Sequence, residues 1–130
     1  MYTQKTHHIN VIVDPAFLED QSLPADNHFV WAYSVWIENH GAETVQLLSR
    51  TCKIRDANGM VHEIKGEGVV GEKPFIAPGG SYHYTSGTPL TTPSGIMEGI
   101  YHMVTQKGEH FDVAIPVFSL DSPYEDAIFH

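Results

Sequence analysis

Positive charge is scarce in this sequence: seven Lys and Arg stand against sixteen Asp and Glu in 130 residues, a formal charge of −9. So acidic a chain repels the phosphate backbone that supplies most nucleic-acid affinity, which argues against DNA or RNA as a partner. Cysteine is scarcer still. Cys52 stands alone, so no internal disulfide can form, and the expected setting is the cytoplasm. No apolar run reaches the roughly 18 residues of a membrane span, and no secretory leader is recognisable, so a membrane partner is not expected either. The familiar catalytic signatures are missing too: there is no G-x-S-x-G elbow, no H-E-x-x-H and no clustered carboxylates. The expectation is a protein that is not an enzyme, with no catalytic residues and no cofactor. At this length one domain suffices, burying roughly 65–70% of its unfolded surface without a metal to hold it.

What is present is alternation. Ile9, Val11 and Val13 mark a first strand, which Asp14-Pro15 is expected to stop; residues 16–28 read as an irregular connection with one short helical turn. Residues 29–38 alternate most clearly, with Phe29, Trp31, Tyr33, Val35 and Ile37 on one side, as in a central strand. A return strand over 45–54 changes phase midway, which predicts a β-bulge near Leu47 or Leu48. Asp56-Ala57-Asn58-Gly59 is a hairpin turn in which Asn-Gly supplies positive φ values, and 60–65 is its partner strand. Two tyrosines share one face of a short strand over 82–85. Residues 86–99, punctuated by Gly87, Pro89, Pro93, Gly95 and Gly99, read as a long ordered loop. A last hairpin, 100–105 with 109–117, turns Phe111, Val113 and Ile115 inward. About seven strands without a convincing long helix predict an all-β, antiparallel β-sandwich of immunoglobulin or fibronectin-III type over 1–120. An acidic tail, 121–130, is expected to be frayed or loosely docked.

Gly66-Glu67-Gly68-Val69-Val70-Gly71 spells G-x-G-x-x-G, the pattern of a pyrophosphate cradle. That chemistry needs a strand before the motif and a helix opening after it, and a P-loop needs lysine next to the last glycine. Here Pro74, Pro78, Gly79 and Gly80 leave no room for the helix, and Glu72 precedes Lys73. A bulged turn explains the glycines better. The alternative is a pyrophosphate- or nucleotide-binding protein using the 66–71 loop, with weak anion binding on the turn's backbone helped by Arg50 or Lys65.

Nine histidines raise a further alternative, direct divalent-metal binding. They are scattered, with His7 and His8 expected on opposite faces of an extended segment and only His83 and His102 placed to become strand neighbours. No metal ligands are assigned. Cys52, on the apolar phase of its strand, reads as an inert buried thiol.

Several motifs, in order along 9–120, resemble those of the ApaG family. They are Gln46-Leu47-Leu48-Ser49-Arg50, the glycine run continuing to Glu72 and Pro74, and Tyr84-Thr85-Ser86-Gly87 with Leu90, Thr92-Pro93, Gly95, Met97, Gly99, Tyr101 and Met103. The segment 33–39, and Phe111, Val113, Ile115-Pro116, Phe118 and Leu120, agree as well. The resemblance implies a fibronectin-III-like sandwich and a bacterial protein linked genetically to cobalt resistance and magnesium efflux, with no established enzymatic activity. Related domains in eukaryotic F-box proteins and in a DNA-polymerase-interacting protein are credited with protein binding. Members commonly continue Ser-Arg with His-Trp, whereas Thr51-Cys52 stands here, so no role of that histidine carries over.

The reading favoured is a binding module with another protein as its partner, using the 66–74 and 86–99 loops. The candidate residues are Gly66, Gly68, Val69, Val70 and Gly71, with Arg50, Ser86, Gly87, Leu90 and Met97. An exposed edge strand offers a route to a homo-oligomer without showing which edge.

Overall fold

The computed structural model describes residues 1–124 and is a sandwich of two antiparallel sheets. Its nine strands are β1 (Tyr2–Thr6), β2 (Ile9–Phe17), β3 (Phe29–Asn39), β4 (Val45–Asp56), β5 (Val61–Glu67), β6 (Phe75–Ile76), β7 (Ser81–Leu90), β8 (Gly95–Thr105) and β9 (His110–Leu120). One sheet runs β1-β2-β3-β7 and the other β5-β4-β8-β9, with β6 alongside β4. The expected class is therefore the one found.

Alternation builds the core. Phe29, Trp31, Val35 and Ile37 of β3 face Met97, Tyr101 and Met103 of β8 and Val113, Ile115 and Phe118 of β9, all buried. Each large side chain so buried contributes about 1.5–3 kcal/mol. The register of β4 on β8 slips between Leu47 and Ser49, the expected bulge. This slip lets Leu47 and Cys52, which differ in phase, both turn inward.

The sequence reading needs five corrections. The polar start is a strand, β1, joined to β2 by a two-residue turn in which His7 and His8 adopt φ of 49° and 67°. The two histidines are therefore the centre of a primed hairpin turn rather than part of an extended segment. Strand β2 does not stop at Asp14-Pro15 but runs to Phe17, with Pro15 opposite Tyr33. Because β1 pairs only as far as Val13, the missing N–H of Pro15 lies beside no β1 partner. In the 56–59 turn only Gly59 is left-handed, at φ 83°, and Asp56 Oδ1 accepts from the N–H groups of Asn58 and Met60.

The fourth correction is the largest. Residues 86–99 are not a loop: β7 continues to Leu90, β8 begins at Gly95, and only 91–94 turn between them. Pro89 is tolerated because β7 is an outer strand. Gly99 is a close-approach glycine at a second register slip, where a Cβ would stand 2.9 Å from the Thr51 carbonyl and 3.0 Å from Cys52 Sγ. The strand count, finally, is nine rather than seven, with β1 and β6 the additions.

The start of the tail is docked. Trp31 Nε1–H donates to the Asp121 carbonyl at 2.7 Å, and the Tyr124 ring packs on Phe17 and Phe29. The rest of the 121–130 segment, from residue 125 on, lies outside the described residues.

Candidate interaction site

The two sheets close unevenly. On one side β1 and β2 pack against β9, and the Ala114 N–H reaches Thr6 Oγ1. On the other side the facing edges, β5 and β7, stand apart. Opposite Ile54, Cys52 and Arg50 of β4 come His62, Ile64 and Gly66 of β5, the residues that face the other sheet. Ile64 is nevertheless 42% exposed, because β7 does not close over it. The gap is a cleft of about 400 Å³, lined chiefly by Ile54, Ile64, Pro89 and Leu90, with His28 and His62 at its margin.

Beyond the cleft the same space turns polar. Arg50 Nη1 donates to the Gly68 carbonyl at 2.5 Å, and its guanidinium lies so close to Gly66 that a Cβ there would meet it at 3.0 Å. Burial pushes the Tyr33 phenol up, while a hydrogen bond with Ser86 and the charge of Arg50 pull it back. Burial likewise raises the Cys52 thiol, with Arg50 again opposing, so the buried cysteine is held as the unreactive thiol. Deeper still, the hydroxyls of Tyr84 and Tyr101 share a short hydrogen bond inside the core. Desolvation carries both phenols well above their usual range.

The glycine run is a compact turn after β5 with no helix following it. Val69 and Glu72 exchange N–H···O bonds of 2.8 and 2.9 Å, and the Gly68 N–H donates to Leu48 O at 2.8 Å. Gly68 has no alternative: its φ is +57°, and a Cβ would fall 2.0 Å from the Glu72 carbonyl oxygen. Both cations next to the turn are engaged, Arg50 on Gly68 and Lys73 on Glu67 at 2.8 Å.

The structure thus brings Arg50, Gly66, Gly68, Ser86 and Leu90 to the open side. It sends the others elsewhere. Val69 and Met97 are core residues, Val70 and Gly71 sit on the tip of the turn, and Gly87 lies in β7 opposite Ala32. Ile54, His62, Ile64 and Pro89 were not anticipated. The alternation of His62 and Ile64 within a recognised strand was the available signal, but nothing in it says that the facing strand stays away.

His83 and His102 do not become neighbours. His83 stacks on Trp36 in one sheet, with ring centroids 4.6 Å apart, and His102 lies in the other. Among the described residues no group of three or more His, Cys, Asp or Glu is placed to hold a metal ion. His102 does stand between Thr51 (3.0 Å) and Asp112 (2.8 Å), an order that suggests a relay to a hydroxyl. Thr51 and His102 lie on the inner strands β4 and β8, and Asp112 on β9. A cross-strand hydrogen-bonded row accounts for the three residues.

No helix among the described residues is long and apolar enough to cross a membrane. The model of the ApaG domain matches residues 19–105. Protein ApaG of Paramagnetospirillum magneticum is 62% identical over 125 residues, covering 96% of each chain. Protein ApaG of Parvibaculum lavamentivorans is 56% identical over 130 residues and the full length of both. In three dimensions, the crystal structure of an ApaA protein from Bordetella pertussis superposes with a TM-score of 0.86 at 43% identity, covering 88% of this chain and 94% of that one. Domain match, near full-length identity and shared sandwich agree, and the chain belongs to the ApaG family.

Proposed function

We propose that this ApaG-family domain is a non-catalytic binding module of the cytoplasm that takes an extended apolar segment of another protein in the β5–β7 cleft. The carrying observation is Ile64, an inward-facing side chain on an apolar cleft that its own fold leaves uncovered. An extended peptide fits such a place, since its alternate side chains can enter between Ile54, Ile64 and Leu90 while its backbone follows an open strand edge. Cobalt resistance and magnesium efflux, which the family resemblance implies, then depend on the partner engaged and not on metal held by this chain.

The alternative of pyrophosphate held on the glycine turn has less support. The N–H groups of Gly68, Val69 and Glu72 are bonded within the protein, Arg50 donates to the Gly68 carbonyl, and Lys73 is paired with Glu67. A displayed library of extended peptides, selected on the immobilised protein, tests the reading. Apolar-patterned binders are expected, and Ile64→Glu should weaken them at least about tenfold, the loss of one buried aliphatic contact. Binders indifferent to Ile64→Glu, or a selection that yields none, would contradict it.

A further inference from the structure

A β-sandwich must protect its outer strands. β6 has only two residues; β7 carries Pro89; β9 carries Pro116 and packs beside β1; β1 has only five residues and lies in that same contact. β5 is guarded by nothing but the charges of Glu63, Lys65 and Glu67, which a partner of matching charge can satisfy. It is seven residues long, has no proline, and six of its residues are exposed. It also lies in a stretch of mixed sign, where Arg50, Lys53, Arg55, Lys65 and Lys73 are interleaved with Asp56, Glu63, Glu67 and Glu72.

We propose that β5 is an interface between two copies of this chain, paired edge to edge and antiparallel about a twofold axis at Ile64. The sequence Val61-His62-Glu63-Ile64-Lys65-Gly66-Glu67 is self-complementary in that register. Glu63 and Lys65 pair with each other within one copy at 3.2 Å; in the dimer each also stands opposite the partner's unlike charge, so the four groups form one alternating cluster. Within one copy the outer face already carries the row Glu98, Lys53, Glu63, so the partner's Lys65 extends an alternation of sign across the junction. On the cleft side Ile64 meets the partner's Ile64, so dimer and peptide compete for this side chain, and His62 lies opposite the partner's Gly66, which has no side chain to obstruct it.

Other registers fail. A twofold perpendicular to the sheet keeps inward residues inward and can sit on any residue of β5. Centres at His62 or Gly66 pair only three of the seven residues and lose the contacts between Glu63 and Lys65. The remaining near centres are Glu63 and Lys65. Either move sets like charges directly opposite, a destabilising arrangement. Net charge does not forbid association, because at physiological salt it is screened beyond about 8 Å, and at the edge itself Glu67 is paired with Lys73. The result is one continuous sheet, β9-β8-β4-β5 and its twofold copy, a closed isologous dimer.

Charge reversal separates this interface from the peptide cleft, because Glu63 and Lys65 point away from Ile64 and do not line the cleft. Sedimentation equilibrium over a concentration series should show reversible dimer for the native chain, with amide exchange in β5 slowing as concentration rises. Glu63→Lys and Lys65→Glu should each weaken dimerisation about tenfold or more, since each replaces two attractive pairs by two repulsive ones. An equimolar mixture of the two variants should recover native-like association, because unlike charges again stand opposite; that recovery also shows both variants folded. A native chain monomeric up to about 1 mM, variants that dimerise as well as the native chain, or a mixture no better than its components would each overturn the proposal.

Discussion

At the scale of single residues, the buried pair Tyr84 and Tyr101 is the most exacting feature of the core. Each hydroxyl is satisfied by the other inside an apolar shell. Removing one leaves its partner unpaired at a cost of about 1–3 kcal/mol, whereas removing both can be nearly neutral. In urea denaturation Tyr84→Phe and Tyr101→Phe should therefore each destabilise the fold, and the double variant less than the sum of the two. The same pair sets alkaline stability. Burial raises both phenols above 10 in the folded chain, so above pH of about 10 the unfolded state releases protons that the native state retains. Stability from this source is complete below pH of about 10 and declines as pH rises further. Ultraviolet titration should find two of the six tyrosines silent until the protein unfolds, and the double variant should lose less stability between neutral and alkaline pH.

At the scale of elements, the glycine run shows how one residue fixes a turn. Gly68→Ala places a methyl group within bonding distance of the Glu72 backbone at a left-handed φ, so the turn must open. A loss of about 3 kcal/mol or more is expected by thermal or urea melting. Gly59→Ala is the comparison, because it has the same sign of φ but open space around it; about 1 kcal/mol is expected there. Similar losses for the two would contradict the close-approach reading of the run.

Strands with one buried face could be read from the sequence. Phe29–Asn39, the bulge in Val45–Asp56 and the strand His110–Leu120 follow from the period-two recurrence of Phe29, Trp31, Val35 and Ile37, the change of phase at Leu47-Leu48, and the recurrence of Phe111, Val113 and Ile115. What misled was chemistry that means one thing in a loop and another at a sheet edge. Gly87 and Pro89 are usual turn residues, yet an outer strand tolerates both. β1 offered no pattern, because an exposed edge strand has little reason to alternate. Of the residues on the open side, Arg50, Gly66, Gly68, Ser86 and Leu90 were legible. The exposure of Ile64 was not, since it depends on how far apart two strands distant in sequence come to rest.

At the scale of the molecule, the sandwich is closed on its β1–β9 side and open on its β5–β7 side, and the candidate interactions all fall on the open one. Five of the seven basic residues lie along 50–73, interleaved with Asp56, Glu63, Glu67 and Glu72, so the strands beside the cleft are the least acidic stretch of an acidic chain. The most direct test of that polarity is an amide and methyl shift map of the Glu63→Lys variant, in which self-association is removed, titrated with a selected apolar peptide. Saturable shifts are expected at Ile54, His62, Ile64 and Leu90. Shifts confined to the 66–74 turn, or to the β1–β9 side, would contradict the assignment of the cleft as the binding site.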